Sequence, residues 1–248
     1  MYLTQFRQSA EALTRWASEQ GIDRRDLDRV YRGMCSDDPV RSRAHRLQRP
    51  EVHIPGLRSA AWHDPAEFSW IAGLEDAHPR IRAEFERQYA ASGLDRHPES
   101  TELAEQGRWG TYHFHRMGEA YPEHLADCPA TAAALDGVPG ISDAGMCYFS
   151  VLGPHTKVKP HCGFLNARIR CHLGIIVPPD CHMRVGTETR TWQEGRCLVF
   201  DDSYEHEVEN LTDRPRAVLL FDTWHPDLSD PERRALTFLM REWSTDVD

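Results

Sequence analysis

Between residues 146 and 223 the sequence is cut into short apolar runs, and this constrains the fold more than any other feature. Met146–Leu152, Ile169–Val177, Arg196–Asp201, Glu205–Asn210 and Arg216–Thr223 are rich in β-branched and aromatic residues, with Gly, Pro and Asp in the gaps. Runs of this length at this spacing predict the strands of a sandwich or barrel. The flanks read differently. Phe6, Ala10, Leu13 and Trp16 recur at helical spacing, and Gly21 offers a C-terminal stop. A second helix is expected from about Asp23, with Leu27, Val30 and Tyr31 on one face. Asp37–Arg49 is polar and arginine-rich and reads as a linker. Pro65–Tyr89 and Thr131–Leu135 have helical character, and Trp109–Phe114 reads as a strand. Ser229-Asp230-Pro231-Glu232 combines a capping box with a proline in the first turn, so a last helix should run to about Trp243. The expectation is a mainly β fold with flanking helices, divided into a helical extension over 1–47 and a β domain with a C-terminal helix over 48–248.

A chain of 248 residues can bury a substantial core. Its formal charge of −10 and pI near 5.8 argue against nucleic acid as a partner. The longest apolar runs, around Leu173–Val177 and Ala217–Phe221, are too short for a membrane span, and the N-terminus lacks the apolar core of a signal peptide. Seven cysteines without CxxC spacing are expected to be buried thiols in a reducing, cytoplasmic setting. Oligomeric state is left open.

The chemistry-bearing residues lie inside the β region. His161-Cys162-Gly163 is followed 45 residues later by His206 and ten further on by Arg216. Two histidines on neighbouring strands can hold one ferrous ion, and in the usual facial arrangement a carboxylate completes the set. The place of that carboxylate, two residues after the first histidine, is Gly163. Asp201 and Asp202 could reach the metal only through a folded-back turn, and water or a halide could fill the position instead. In the run Arg168–Val177, alternation puts Arg168, Arg170, His172 and Gly174 on one face, and Ile169, Cys171, Leu173 and Ile175 on the other. A cationic face beside a metal ligand suits carboxylates, which arginine grips bidentately. Arg216 shares a face with Val218, Leu220 and Asp222, and if buried it needs an anion. Singly, His155, His172, His182 and His225 have claims equal to those of His161 and His206; the turn-strand context distinguishes the pair.

From Ser150 through Pro226 the chain resembles the catalytic domain of the aspartyl/asparaginyl β-hydroxylases. The resemblance rests on Pro160-His161-Cys162-Gly163, the run Asn166–Gly174, Val177-Pro178, Thr191-Trp192-Gln193-Glu194-Gly195, the run Phe200–Val208 and Trp224-His225-Pro226. It implies a double-stranded β-helix, the jelly-roll or cupin-like core, and a dioxygenase using Fe(II), 2-oxoglutarate and O2. It implies iron held by His161 and His206 alone, so that Gly163 agrees with the family. Ser150 and Arg216 would take the distal carboxylate of the cosubstrate, and Arg170 with His172 the carboxylate near the metal. Trp109 and Arg168 would face the substrate, with Asp201 and Asp202 near the mouth. The expected reaction is hydroxylation of the β-carbon of an aspartyl or asparaginyl unit, free, in a small peptide or tethered to a carrier protein. Halogenation, hydroxylation of another small substrate and a non-catalytic β-barrel binding module are the alternatives. The resemblance departs at Ala104, where the family has a substrate-binding arginine, and at Ala132, where it has one of a pair of cysteines. These departures bear on recognition of a disulfide-bearing protein domain, not on the metal or the cosubstrate.

Overall fold

A computed structural model describes residues 2–34, 46–91, 94–143 and 145–244. Two antiparallel sheets face each other. The larger has the spatial order Trp62–His63 (β1), Cys197–Phe200 (β11), Arg168–Ile176 (β8), Arg216–Trp224 (β13), Met146–Leu152 (β6), Trp109–Arg116 (β4) and Asp95–Arg96 (β2), with Glu119–Ala120 (β5) paired to β4. The smaller runs Glu188–Arg190 (β10), Cys181–Val185 (β9), His206–Asn210 (β12), Thr156–His161 (β7) and Ala104–Gln106 (β3). This is the expected jelly-roll core with flanking helices.

The larger sheet is buried on both faces, which explains its nearly unbroken apolar runs. Its outer face carries Phe149, Ile169, Cys171, Leu173 and Phe221. Against it packs a helix, Ile71–Ala91 (α3), through Ile71, Leu74, Ala77, Ile81 and Phe85, which recur every three or four residues. Phe85 meets Phe149 edge-on at 5.3 Å between ring centroids, and full burial of each such ring contributes roughly 1.5–3 kcal/mol. The inner face meets the smaller sheet in a second cluster that includes Val158, Met183, Val208, Val218 and Leu220.

The N-terminal helices Tyr2–Glu19 (α1) and Asp28–Met34 (α2) form a third cluster with the C-terminal helix Asp230–Ser244 (α5). Leu13, Ala17, Leu27 and Val30 pack against Leu236, Leu239 and Met240. Helix α1 stops where expected: Gly21 takes φ 65°, and the Ile22 amide closes back onto the Ala17 carbonyl at 2.9 Å. Asp23 caps a 3-10 turn leading into α2, its carboxylate accepting from the Arg25 amide. Ser229 and Glu232 form the capping box of α5. No described helix is long and apolar enough to cross a membrane.

Two expectations need correction. Pro65 starts only a 3-10 turn, and the helix proper begins at Ile71. Four strands of the smaller sheet, β3, β7, β9 and β10, are absent from the sequence reading. Their outward positions are charged and meet across strands, Lys157 with Glu209 and Arg184 with Glu207, so too few inward apolar residues remain to mark them. Of the linker expected over Asp37–Arg49, only residues 46–49 lie within the described chain.

Glu84 is a buried carboxylate on α3 that caps the neighbouring helix Pro129–Leu135 (α4). It accepts from the Ala130 and Thr131 amides at 2.8 and 2.9 Å and from the Thr131 hydroxyl at 2.7 Å. Glu84→Ala strands these donors and is expected to cost about 2–4 kcal/mol of stability in urea unfolding. Glu84→Gln should recover part of that loss.

Candidate active site

Strands β7 and β12 pair so that His161 lies opposite His206, with ring centroids 4.1 Å apart. Each ring is held by its own strand. His161 Nδ1 lies 2.8 Å from the Lys159 carbonyl, and His206 Nδ1 lies 2.9 Å from the Tyr204 carbonyl. A carbonyl only accepts, so each Nδ1 carries the proton and each Nε2 keeps its lone pair. Burial pushes both pKa values down, which keeps the rings neutral. Two neutral imidazoles presenting Nε2 together are the ligand atoms a ferrous ion takes.

Gly163 is shaped by Asp202. Its amide donates to the Asp202 carbonyl at 2.6 Å. A Cβ at residue 163 would stand 2.5 Å from the Asp202 carboxylate, so Asp202 occupies the space a ligand side chain would need. One oxygen of that carboxylate pairs with Arg170 at 3.1 Å, and Oδ1 has no partner among the described residues. Those residues contain no cluster of three or more His, Cys, Asp or Glu able to cage a metal. The donor set therefore consists of two imidazoles with an acidic neighbour, and it fits Fe(II) with open positions.

The opposite wall comes from the larger sheet. Arg216 is 2% exposed. Its Nη1 donates weakly to the Ser150 carbonyl at 3.4 Å, its guanidinium lies over Trp192 at 4.7 Å, and Nε is unpartnered. Among the described residues no carboxylate pairs with it, and burial alone draws its pKa down to about 10. Ser150 Oγ accepts from Trp109 Nε1 at 3.0 Å, leaving the hydroxyl proton free. His172 Nδ1 accepts from Trp192 Nε1 at 3.3 Å. The His172 proton therefore sits on Nε2, which is buried and has no partner among the described residues. A guanidinium, a hydroxyl and an imidazole N–H all await an acceptor.

Arg170 is more committed. It donates to Asp222 from Nε at 2.8 Å and from Nη2 at 3.3 Å, besides pairing with Asp202. Arg168 reaches Asp222 only at 3.5 Å, and its Nε has no partner. Asp201, expected near the mouth with Asp202, points into the protein. It is 1% exposed, bonded to Gln48 and the Ser203 amide, and is not among the residues lining the cavity. Burial pushes its pKa up to about 8. The other sequence-derived site residues, Trp109, Ser150, His161, Arg168, Arg170, His172, Asp202, His206 and Arg216, line one cavity of about 960 Å³.

Four residues outside that set hold it in place. Asp222 and Trp192 orient Arg170 and His172. His97 stacks on Trp109 at 3.6 Å between centroids, accepts from the Glu99 amide on Nδ1, and so donates from Nε2 to the Tyr148 phenol. The Tyr148 proton is thereby directed elsewhere. Alternation along β13 puts Asp222 on the face of Arg216, Val218 and Leu220, and an acid on a largely apolar face was the available signal; His97 had none.

The sequence is similar to those of several known proteins. The model of the Aspartyl/Asparaginyl beta-hydroxylase family matches residues 75–226. The mouse aspartate beta-hydroxylase domain-containing protein 2 is 34% identical over 223 residues, covering 86% of this chain and 65% of the relative. The human domain-containing protein 1 is 40% identical over 206 residues, 78% of this chain and 52% of its own length. The human aspartyl/asparaginyl beta-hydroxylase is 34% identical over 196 residues, 76% of this chain and 26% of that protein. The chain thus spans at most about two thirds of these relatives. A Pseudomonas putida prolyl-4-hydroxylase structure aligns with 62% of this chain and 98% of its own at 15% identity and a TM-score of 0.38.

Two expectations follow. Gly163→Asp should lower affinity for a divalent metal by about tenfold or more in calorimetric titration, because Asp202 already fills the space; a gain would show that Asp202 gives way. Asp201 has a folded pKa above its unfolded value, so its contribution to stability is full below about pH 4 and is lost as pH rises toward 8. Relative to the wild type, Asp201→Asn should therefore gain stability steadily between those limits in unfolding measured against pH.

Proposed function

Because the chain belongs to the aspartyl/asparaginyl β-hydroxylase family, we propose that it is an Fe(II)- and 2-oxoglutarate-dependent dioxygenase that hydroxylates the β-carbon of an aspartyl or asparaginyl unit and releases succinate and CO2. The observation that carries this reading is Arg216: a fully buried guanidinium with no carboxylate partner among the described residues, across a cavity from two imidazoles with matched tautomers. A buried cation in that state costs several kcal/mol unless an anion joins it. A dicarboxylate cosubstrate is such an anion.

His161 and His206 would hold the iron through Nε2. Bound iron supplies the O2 activation that couples oxidative decarboxylation of the keto acid to hydroxylation. The protein's part is binding and orientation. Arg216 and the Ser150 hydroxyl would grip the distal carboxylate, and His172 Nε2–H, fixed by Trp192, would donate to the carboxylate near the metal. Arg170 would act chiefly through charge, since its hydrogen bonds go to Asp222 and Asp202.

Charge counting supports an acidic substrate. Arg168, Arg170 and Arg216 face the carboxylates of Asp202 and Asp222 in the inner wall, and Asp201 is held protonated near neutral pH. The inner wall thus contributes one surplus positive charge. Ferrous iron and the dianionic cosubstrate cancel, so one positive charge, beside Arg168, is left for a substrate carboxylate. The substrate is a small molecule or a peptide, free or carrier-tethered. Halogenation is disfavoured, because a chloride replacing a ligand at Gly163 would meet the Asp202 carboxylate. We further propose that residues 48–248 form the oxygenase domain with 1–47 appended, and that the protein works in the cytoplasm.

The test is incubation with Fe(II), ascorbate, 2-oxoglutarate and aspartyl or asparaginyl compounds, followed by mass analysis. The expected result is one added oxygen on a substrate, with succinate released. No succinate with any of them, from protein that binds metal, overturns the reading. Arg216→Met should raise the KM for 2-oxoglutarate by about a hundredfold or more while leaving metal affinity within a few fold.

A further inference from the structure

Resting on the reading above, we infer that the substrate's reacting acid carries a neighbouring apolar group, acyl or aromatic, that packs on a shelf of Phe164, Met117, Met240 and Trp243 at the outer end of the cavity. These four residues line the same cavity as the metal and anion sites. At about 960 Å³ the cavity is at the upper end of small-molecule sites. A five-carbon keto acid and a single amino acid leave much of it empty.

The shelf adjoins the reacting centre. Phe164 follows His161 by three residues and precedes Arg168 by four, so its Cα lies within about 11 Å of one and about 14 Å of the other even for an extended chain. A substituent several bonds long on an acid held by Arg168 could therefore reach this ring within the one cavity. The shelf is also built rather than incidental. Trp243 meets Phe164 edge-on at 5.3 Å, and its Nε1 donates to Ser9 Oγ of α1 at 2.9 Å, which fixes the indole. Met240 and Trp243 belong to α5, outside the matched family region of 75–226 and braced by α1 and α2. Two of the four shelf residues thus come from outside the matched region, and Phe164 and Met117 from within it.

Met117 gives the second, independent indication. It begins the two-residue turn between β4 and β5 with φ 50°, and Gly118 follows at φ 86°. Such turns favour Asn, Asp or Gly in both places. A methionine there is strained, and it gives up a better turn residue in exchange for a flexible thioether on the cavity wall. The rim beyond the shelf, with Arg49, Arg116, Glu51 and Glu119, is charged and exposed. The complementary ligand is thus anionic at Arg168 and apolar immediately beyond.

The test is calorimetric titration of the protein loaded with Mn(II) and 2-oxoglutarate, using aspartate and its N-acetyl, N-butanoyl, N-hexanoyl and N-octanoyl derivatives. Affinity should rise by about fourfold per methylene removed from water until the shelf is covered. Trp243→Ala should collapse the octanoyl-to-acetyl affinity ratio, and Trp243→Phe should keep most of it. Should Trp243→Ala fail to fold, Met117→Asn relieves the turn and should still lower the ratio at unchanged or higher melting temperature. An equal Kd for all derivatives in the wild type, or a ratio untouched by both variants, overturns the inference. Hydroxylation assays on the same compounds separate the two ideas. A flat series with hydroxylated aspartate sinks the shelf and leaves the oxygenase, whereas a rising series without succinate or product sinks the oxygenase and leaves the shelf.

Discussion

One carboxylate, Asp222, organises the interior of this protein. It is 1% exposed in the middle of the larger sheet. It accepts two hydrogen bonds from Arg170 and one from the Met146 amide, and lies 3.5 Å from Arg168. Removing it would leave two guanidiniums facing each other in a dry wall, a far larger penalty than the loss of one surface ion pair. Because the partner of Arg170 is fixed, Asp202 can be held at its other side, and Asp202 in turn defines the space at Gly163. Asp222, Arg170 and Asp202 thus form one chain of charges that ends beside Gly163.

The polar contacts around this chain set tautomers rather than merely adding stability. His161 and His206 turn their protons toward backbone carbonyls and offer lone pairs. His172 accepts from an indole and so offers a proton. Three imidazoles of identical chemistry, two presenting a lone pair at Nε2 and one a proton, are distinguished by what each Nδ1 touches. Trp192 and the carbonyls of Lys159 and Tyr204 therefore matter as much as the rings they hold.

Much of this was legible in the sequence. Strands β6, β8 and β13 of the larger sheet are long and almost wholly buried, so they could be read to within a residue of their ends. Alternation along β8 correctly separated Arg168, Arg170 and His172 from Ile169, Cys171 and Leu173. The smaller sheet was harder, because β9 and β10 are short and half charged. Asp201 and Asp202 are adjacent and chemically identical. Only the turn decides that Asp202 joins the cavity wall while Asp201 bonds with Gln48, a residue 153 positions away. Contacts at such separation, like that of His97 with Tyr148, leave no local pattern to read.

The two sheets carry different halves of the chemistry. The imidazole pair rides on β7 and β12, while the guanidinium of Arg216 and the His172 donor ride on β13 and β8. What separates the halves is the layer of Val158, Met183, Val208, Val218 and Leu220 packed between the sheets. Val158, Met183, Val208 and Leu220 also line the cavity, and the thickness of this layer sets the distance between the imidazole pair and the Arg216 guanidinium. The reach required of any ligand that bridges them is thereby written into the hydrophobic core.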